Sequence, residues 1–212
     1  TYYVNDGVDD GTELWCTTVV GNDANDGLTI STPKLTLAAA LALATCGDTI
    51  KVDAGTYAGT SNENITIPDN TDDIYIMGAG KILTIFDGDN TDDWLTFNSG
   101  GNTSGITITD MTVKEYGGTA QQSGGAIRHL GGTGIVFQDM IFESNRAYYS
   151  INGGGVIFID NAAAVEFDRC IMRSNWADYN GSVVLHEGSG ALTMKNCLIY
   201  ENDADNGVDI EI

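Results

Sequence analysis

Four segments of the chain share one pattern of apolar and polar positions: 106–116 (ITITDMTVKEY), 135–145 (IVFQDMIFESN), 165–175 (VEFDRCIMRSN) and 192–202 (LTMKNCLIYEN). Positions one, three, six and eight of each are apolar, as in Ile106, Ile108, Met111 and Val113, or Val165, Phe167, Cys170 and Met172. Alternation with period two marks a strand with one buried face, and a polar pair at positions four and five interrupts it. Each segment therefore reads as two short strands joined at a bend. The sixth positions, Met111, Met140, Cys170 and Cys197, are 29, 30 and 27 residues apart. A turn rich in Gly and Asn follows each pair of strands, and then a third apolar run: Gly124-Gly125-Ala126-Ile127, Gly154-Gly155-Val156-Ile157, Gly181-Ser182-Val183-Val184 and Asn206-Gly207-Val208. Three strands in about 30 residues describe one coil of a parallel β-helix.

Stacked coils bring equivalent residues to about 4.8 Å from one another, so like residues should form columns. Asn145, Asn175 and Asn202 close their segments in register, and their amides are expected to hydrogen-bond up the column as a ladder. The same alphabet continues upstream less regularly, with strands expected at 49–52, 65–67, 74–77, 82–86 and 94–97. Only 36–45 (TLAAALALAT) reads as helix, with Pro33 before it and Gly47 after it. An end coil with open backbone edges invites aggregation, and this helix is the expected N-terminal cap. The expected organisation is an arm and capping helix over 1–47, then coils over 48–212 that are open at the C-terminal end.

Charge narrows the partners. Nine Lys+Arg against 30 Asp+Glu give a net charge of −21, which repels nucleic acid and anionic membranes. No apolar run reaches the roughly 18 residues of a membrane-spanning helix. The short acidic polar surface suits an exported protein. Cys16, Cys46, Cys170 and Cys197 lack zinc-ligand spacing. Cys170 and Cys197 continue the inward column of Met111 and Met140, while Cys16 and Cys46 flank the helix and are expected to form a disulfide that staples the arm.

Several stretches resemble a known family. Tyr2-Tyr3-Val4, then GNDANDG at 21–27, Pro33-Lys34-Leu35-Thr36, Gly47-Asp48-Thr49-Ile50 and Gly55-Thr56-Tyr57 are similar to the N-terminal signature of secreted bacterial β-helix proteins of the pectate-lyase-like superfamily. Gly124-Gly125-Ala126-Ile127 and Phe142-Glu143-Ser144-Asn145 resemble the GGA[ILV] and FxxN repeats of polymorphic outer-membrane adhesins. Segments 172–175 and 199–202 keep the Asn and replace the Phe. The resemblance implies an all-β, right-handed parallel β-helix, secreted or at the bacterial cell surface. Fold does not fix function, since this architecture serves lyases, hydrolases, adhesins and spacers.

A Ca-dependent polysaccharide lyase would need a base beside a charge-stabilising cation. The candidates are Lys51, Lys81, Lys114, Arg128, Arg146, Arg169, Arg173 and Lys195, of which Arg169 and Lys195 sit at neighbouring bends and form at most a weak basic strip. His129 and His186 align two coils apart, roughly 9.6 Å, too far for a direct dyad. Asp23, Asn25 and Asp26 in one loop, and Asp87, Asp89, Asp92 and Asp93 in another, offer hard oxygen ligands suited to structural Ca²⁺, against the alternative of solvated turns. Arg146-Ala147-Tyr148-Tyr149 and Trp176-Ala177-Asp178-Tyr179 follow the Asn column, so Arg146 should lie over Trp176 and Tyr149 over Tyr179. Arg146, Tyr149, Trp176 and Tyr179 would then offer stacking faces for a glycan or a surface protein.

The expected function is an adhesive, carbohydrate-binding or structural module outside the cell. The polysaccharide lyase is the second reading. Self-association through the open C-terminal coil into an end-to-end filament is the third.

Overall fold

The structure, a computed structural model, describes residues 1–69, 71–98, 103–118, 124–148, 153–160, 164–205 and 207–212. Tyr149 and Asn206 lie outside the described residues. The chain winds into a parallel β-solenoid with three long sheets and one short one. Sheet I stacks Tyr2–Val4, Thr49–Val52, Tyr75–Gly78, Thr107–Thr109, Ile135–Gln138, Val165–Asp168 and Leu192–Lys195. Sheet II stacks Gly55–Ala58, Thr84–Asp87, Thr112–Lys114, Ile141–Glu143, Ile171–Arg173 and Leu198–Tyr200. Sheet III stacks Ile65–Ile67, Leu95–Phe97, Ile127–His129, Ile157–Ile159, Val184–His186 and Ile210–Glu211. Among the described residues, sheet IV holds Arg146–Ala147, Trp176–Ala177 and Asp203–Ala204.

Each 11-residue segment is a strand of sheet I, a bend and a strand of sheet II. Both corners use the left-handed backbone region. Position five is Asp110, Asp139, Arg169 or Asn196, with φ of 62°, 52°, 55° and 53°. Position ten is Glu115, Ser144, Ser174 or Glu201, with φ of 57°, 57°, 56° and 56°. An L-residue in this region costs roughly 1–2 kcal/mol, and short polar side chains tolerate it best. The loops before sheet III use glycine instead. Gly124, Gly154 and Gly181 have φ of 88°, 99° and 67°, and a Cβ on Gly125 or Gly155 would lie 2.1 Å from the carbonyl oxygen of Gly155 or Ser182 on the next coil.

Inside, like residues stack. Ile50, Ile76, Ile108, Phe137, Phe167 and Met194 form one register-matched column of sheet I. Tyr57, Phe86, Val113, Phe142, Met172 and Ile199 form the facing column of sheet II. Phe137 stacks on Phe167 at 5.1 Å between ring centroids, and Phe142 meets both edge-on at 5.9 and 6.0 Å. Met111, Met140 and Cys170 are buried in this core, and Cys197 packs against it half-buried.

The asparagine column forms as the spacing predicts. The Asn145 amide donates to Asn175 Oδ1 at 3.1 Å, and the Asn175 amide to Asn202 Oδ1 at 3.0 Å. Each Oδ1 also accepts a main-chain N–H from the preceding coil: Tyr116 to Asn145, Asn145 to Asn175 and Asn175 to Asn202. The Nδ2 groups donate in addition to the carbonyls of Val113, Phe142 and Met172. The coils that carry Tyr116, Asn145 and Asn175 are thus each pinned at one corner by a side chain of the next coil.

The N-terminal region departs from expectation in two respects. The helix runs only from Leu37 to Leu41, because Thr36 is its N-cap, accepting from Ala39 N–H, and the chain turns tightly after Ala42. Leu37, Ala40 and Leu41 are buried in the core cluster that includes Ile50 and Ile65. The expected Cys16–Cys46 disulfide is not formed, and none of the four cysteines is in a disulfide. Cys16 is held at Asp53, beyond one end of the strand Thr49–Val52, whereas Cys46 lies before that strand and accepts from Asp72 N–H. Four strand residues span roughly 13 Å, beyond the Cα separation of about 7 Å that a disulfide tolerates. The arm is pinned instead by the buried Asp53 carboxylate, which accepts from the N–H groups of Leu14, Trp15 and Cys16 at 2.7, 2.9 and 2.6 Å.

Two predictions follow from the columns. Asn175→Leu removes the acceptor of the Asn145 main-chain N–H and the side-chain bonds to Asn145 and to the Phe142 carbonyl, and should lower stability by about 1–3 kcal/mol, read as a lower urea midpoint at constant slope. The second concerns His129, fully buried between Phe97 and Ile159 in a column of sheet III. Burial pushes its pKa from 6.5 down to about 4, so the folded state favours neutral imidazole. The associated stability is fully present above pH 6.5 and is lost as the pH falls toward 4, by up to about 3 kcal/mol. His129→Phe should flatten urea midpoints across that pH window.

Candidate functional site

The corner closed by the asparagine ladder sets the geometry of the candidate surface. Immediately after the ladder, sheet IV pairs Arg146 with Trp176 and Trp176 with Asp203, while Ala147, Ala177 and Ala204 stack beside them. Ala147 and Ala177 are buried and Arg146 and Trp176 are not, so alternation along this short strand presents the large side chains outward. The Arg146 guanidinium carbon lies 4.1 Å from the Trp176 ring centroid and 4.4 Å from that of Tyr148. Tyr148 and Trp176 are themselves 5.5 Å apart, tilted by 52°.

Two clefts of about 350 Å³ each flank this group. One is lined by Asn90, Ser144, Asn145, Arg146, Ser174 and Trp176. The other is lined by Asn90, Gly117, Gly118, Arg146 and Tyr148. Arg146 has no carboxylate partner among the described residues although acids outnumber bases more than threefold. Apolar ring faces, a charged donor and small polar groups in an open cleft can stack on a pyranose and bond its hydroxyls.

Of the residues expected at this surface, the structure brings Arg146 and Trp176 together and leaves Tyr179 exposed, while Tyr149 lies outside the described residues. Tyr148 is the member that the sequence reading passed over. It stands two residues after Arg146, just beyond the strand Arg146–Ala147, where no periodicity marks its packing on the guanidinium.

Most of the acidic-loop side chains are engaged within the fold. Asp23 accepts from the N–H groups of Leu35 and Thr36 and from the Thr36 hydroxyl, and Asp26 accepts from Leu28 N–H and the Thr32 hydroxyl. Asn25 donates to the Pro33 carbonyl. In the second loop Asp87 pairs with Lys114 and also accepts from Asp89 N–H, Asp92 accepts from Asn64, and the buried Asp93 accepts from Thr96. Among the described residues no group of three or more His, Cys, Asp or Glu is placed to hold a metal ion.

Four of the bases considered for lyase chemistry, Lys114, Arg169, Arg173 and Lys195, are ion-paired. Asp87, Lys114, Glu143 and Arg173 follow one another down an outward column of sheet II, alternating in sign. Arg173 pairs with Glu143 at 2.9 Å and donates to the Tyr200 hydroxyl. Arg169 pairs with Asp139 and Asp168, and Lys195 with Glu166. The Arg169 bond holds the Asp139 carboxyl below its usual range, and Asp139 in turn raises the Arg169 guanidinium. A base needs the reverse, a pKa brought down toward neutrality. Lys51 sits over the rings of Trp15 and Tyr3 at 5.2 and 5.9 Å. His129 and His186 are buried with Ile159 between them in register, which separates them as the spacing predicts.

Comparisons with protein-family models, with curated proteins and with solved structures each return no match. The functional reading therefore rests on the residues of this chain.

The Arg146–Trp176 contact should show as a coupling in a double-mutant cycle. Arg146→Ala and Trp176→Ala, singly and together, are expected to give an interaction free energy of about 0.5–1 kcal/mol. Strict additivity of the urea midpoints would show that the two side chains do not interact.

Proposed function

We propose that this protein is an extracellular or cell-surface β-solenoid module that binds neutral glycans through the cleft around Arg146, Tyr148 and Trp176. The observation that carries the reading is an arginine with rings against it and no acidic partner among the described residues, open to clefts on either side. The net charge of −21 opposes polyanionic polymers such as pectate, whereas neutral sugars meet no such field. The repeating coils place side chains at intervals of about 4.8 Å, which suits a repetitive partner. The committed state of Arg169, Arg173, Lys114 and Lys195 favours binding over lyase chemistry.

The test is a glycan-array screen followed by titration monitored by tryptophan fluorescence. Trp176→Ala should weaken binding to the best neutral glycan at least about tenfold, equivalent to roughly 1.4 kcal/mol. Tyr75→Ala, which removes an exposed aromatic ring from sheet I, should leave it unchanged. Incubation with pectate or alginate should release no unsaturated uronide. Equal affinity of Trp176→Ala and the parent protein, or uronide release that Arg169→Ala abolishes, would overturn the reading.

A further inference from the structure

Cys170 and Cys197 are stacked thiols on adjacent coils. The pairs Asp168 with Lys195 and Ile171 with Leu198 bracket them in register, and Leu198 N–H donates to the Cys170 carbonyl at 2.9 Å. Their side chains take the same direction. Cys170 Sγ reaches the carbonyls of Phe137 and Asp168 at 3.3 and 3.5 Å, and Cys197 Sγ reaches the equivalent carbonyls of Phe167 and Lys195 at 3.5 and 3.2 Å. The two thiols therefore occupy one register position on adjacent coils. The inter-coil spacing of about 4.8 Å falls within the roughly 4.4–6.8 Å between Cα atoms that a disulfide accepts. Cys170 is buried, while Cys197 is half-buried and accessible to a small reagent.

We infer that Cys170 and Cys197 are an oxidisable pair, which a small-molecule disulfide such as oxidised glutathione converts to an inter-coil Cys170–Cys197 disulfide. The Cys197 thiolate attacks one sulfur of the reagent, forming a mixed disulfide and expelling one glutathione thiolate. Cys170, losing its proton, then attacks the Cys197 sulfur, closing the bridge and expelling the second. The two protein thiols lose two electrons and two protons, and the reagent gains them as two molecules of glutathione. The neighbouring Cys170 thiol holds the Cys197 thiol below its ordinary pKa, and the Cys197 thiol, with burial, raises Cys170. Capping Cys197 removes this main restraint on Cys170, so the order of the two steps follows from the contact itself. The other cysteines lack this arrangement: burial raises Cys16 to about 12, and the exposed Cys46 lies at the opposite end of the strand Thr49–Val52 from it.

The test uses the full chain carrying Cys46→Ser, reduced and then exposed to oxidised glutathione. Intact mass should fall by two hydrogens with no retained glutathione, and peptide mapping without reductant should join the peptides of Cys170 and Cys197. The thermal midpoint should rise by several degrees and return on reduction. Cys170→Ser should instead keep a stable glutathione adduct on Cys197. If that variant does not fold, Cys197→Ser should take up no glutathione and show no shift. A persistent adduct on Cys197 in the presence of Cys170, or two free thiols after oxidation, would overturn the proposal.

Discussion

Parallel pairing between successive coils is the constraint on which this molecule depends. Each strand finds its partner about 30 residues along the chain, at the fixed spacing of a β-ladder, so each side chain is stacked on the equivalent position of the next coil. A column then stabilises only if each member suits the next. Aliphatic and aromatic columns satisfy this inside, alternating charges do so along the outside of sheet II, and amides do so at the corner of Asn145, Asn175 and Asn202. The amide column fixes register between the coils from Tyr116 to Asn202. A slip by one residue would bury a polar side chain and leave main-chain N–H groups unpaired at the same time.

The corners show what this regularity costs. Two left-handed residues in each segment, without glycine, are energetically unfavourable on their own, and they persist because hydrogen bonds on both sides hold them. Asp139 and Arg169 combine both features, since they occupy the same corner on adjacent coils and are ion-paired across it. These ion pairs are largely exposed, so their stabilisation is small, about 0–1 kcal/mol each. Their larger consequence is chemical: they take the basic residues out of any role as a free base.

Much of this architecture was legible because a solenoid writes its period directly into the sequence. The apolar positions of 106–202 located the two longer strands of each segment, and the Asn column followed from its register. Less regular coils were harder. The strand Gly55–Ala58 was missed because its sole large apolar residue is Tyr57, and the strands of sheet IV were missed because two residues carry no periodicity. The arm was the least legible part. Its anchor, Asp53, looks like any other acid among 30, and only burial against three N–H groups distinguishes it. Within the candidate site, Arg146 over Trp176 could be derived from coil register, whereas the inward turn of Tyr148 depends on side-chain packing that no spacing encodes.

A rigid frame places a small amphipathic cleft just beyond the asparagine ladder, so the ladder and the candidate site stand or fall together. Native-state hydrogen exchange followed by NMR tests that frame most directly. The amides of Tyr116, Asn145 and Asn175 donate to a side-chain oxygen on the next coil rather than to a main-chain carbonyl. They should exchange as slowly as the amides of the central strand Ile135–Gln138. Exchange as fast as that of the exposed Thr12 amide would contradict the stacked column and the coil register built on it.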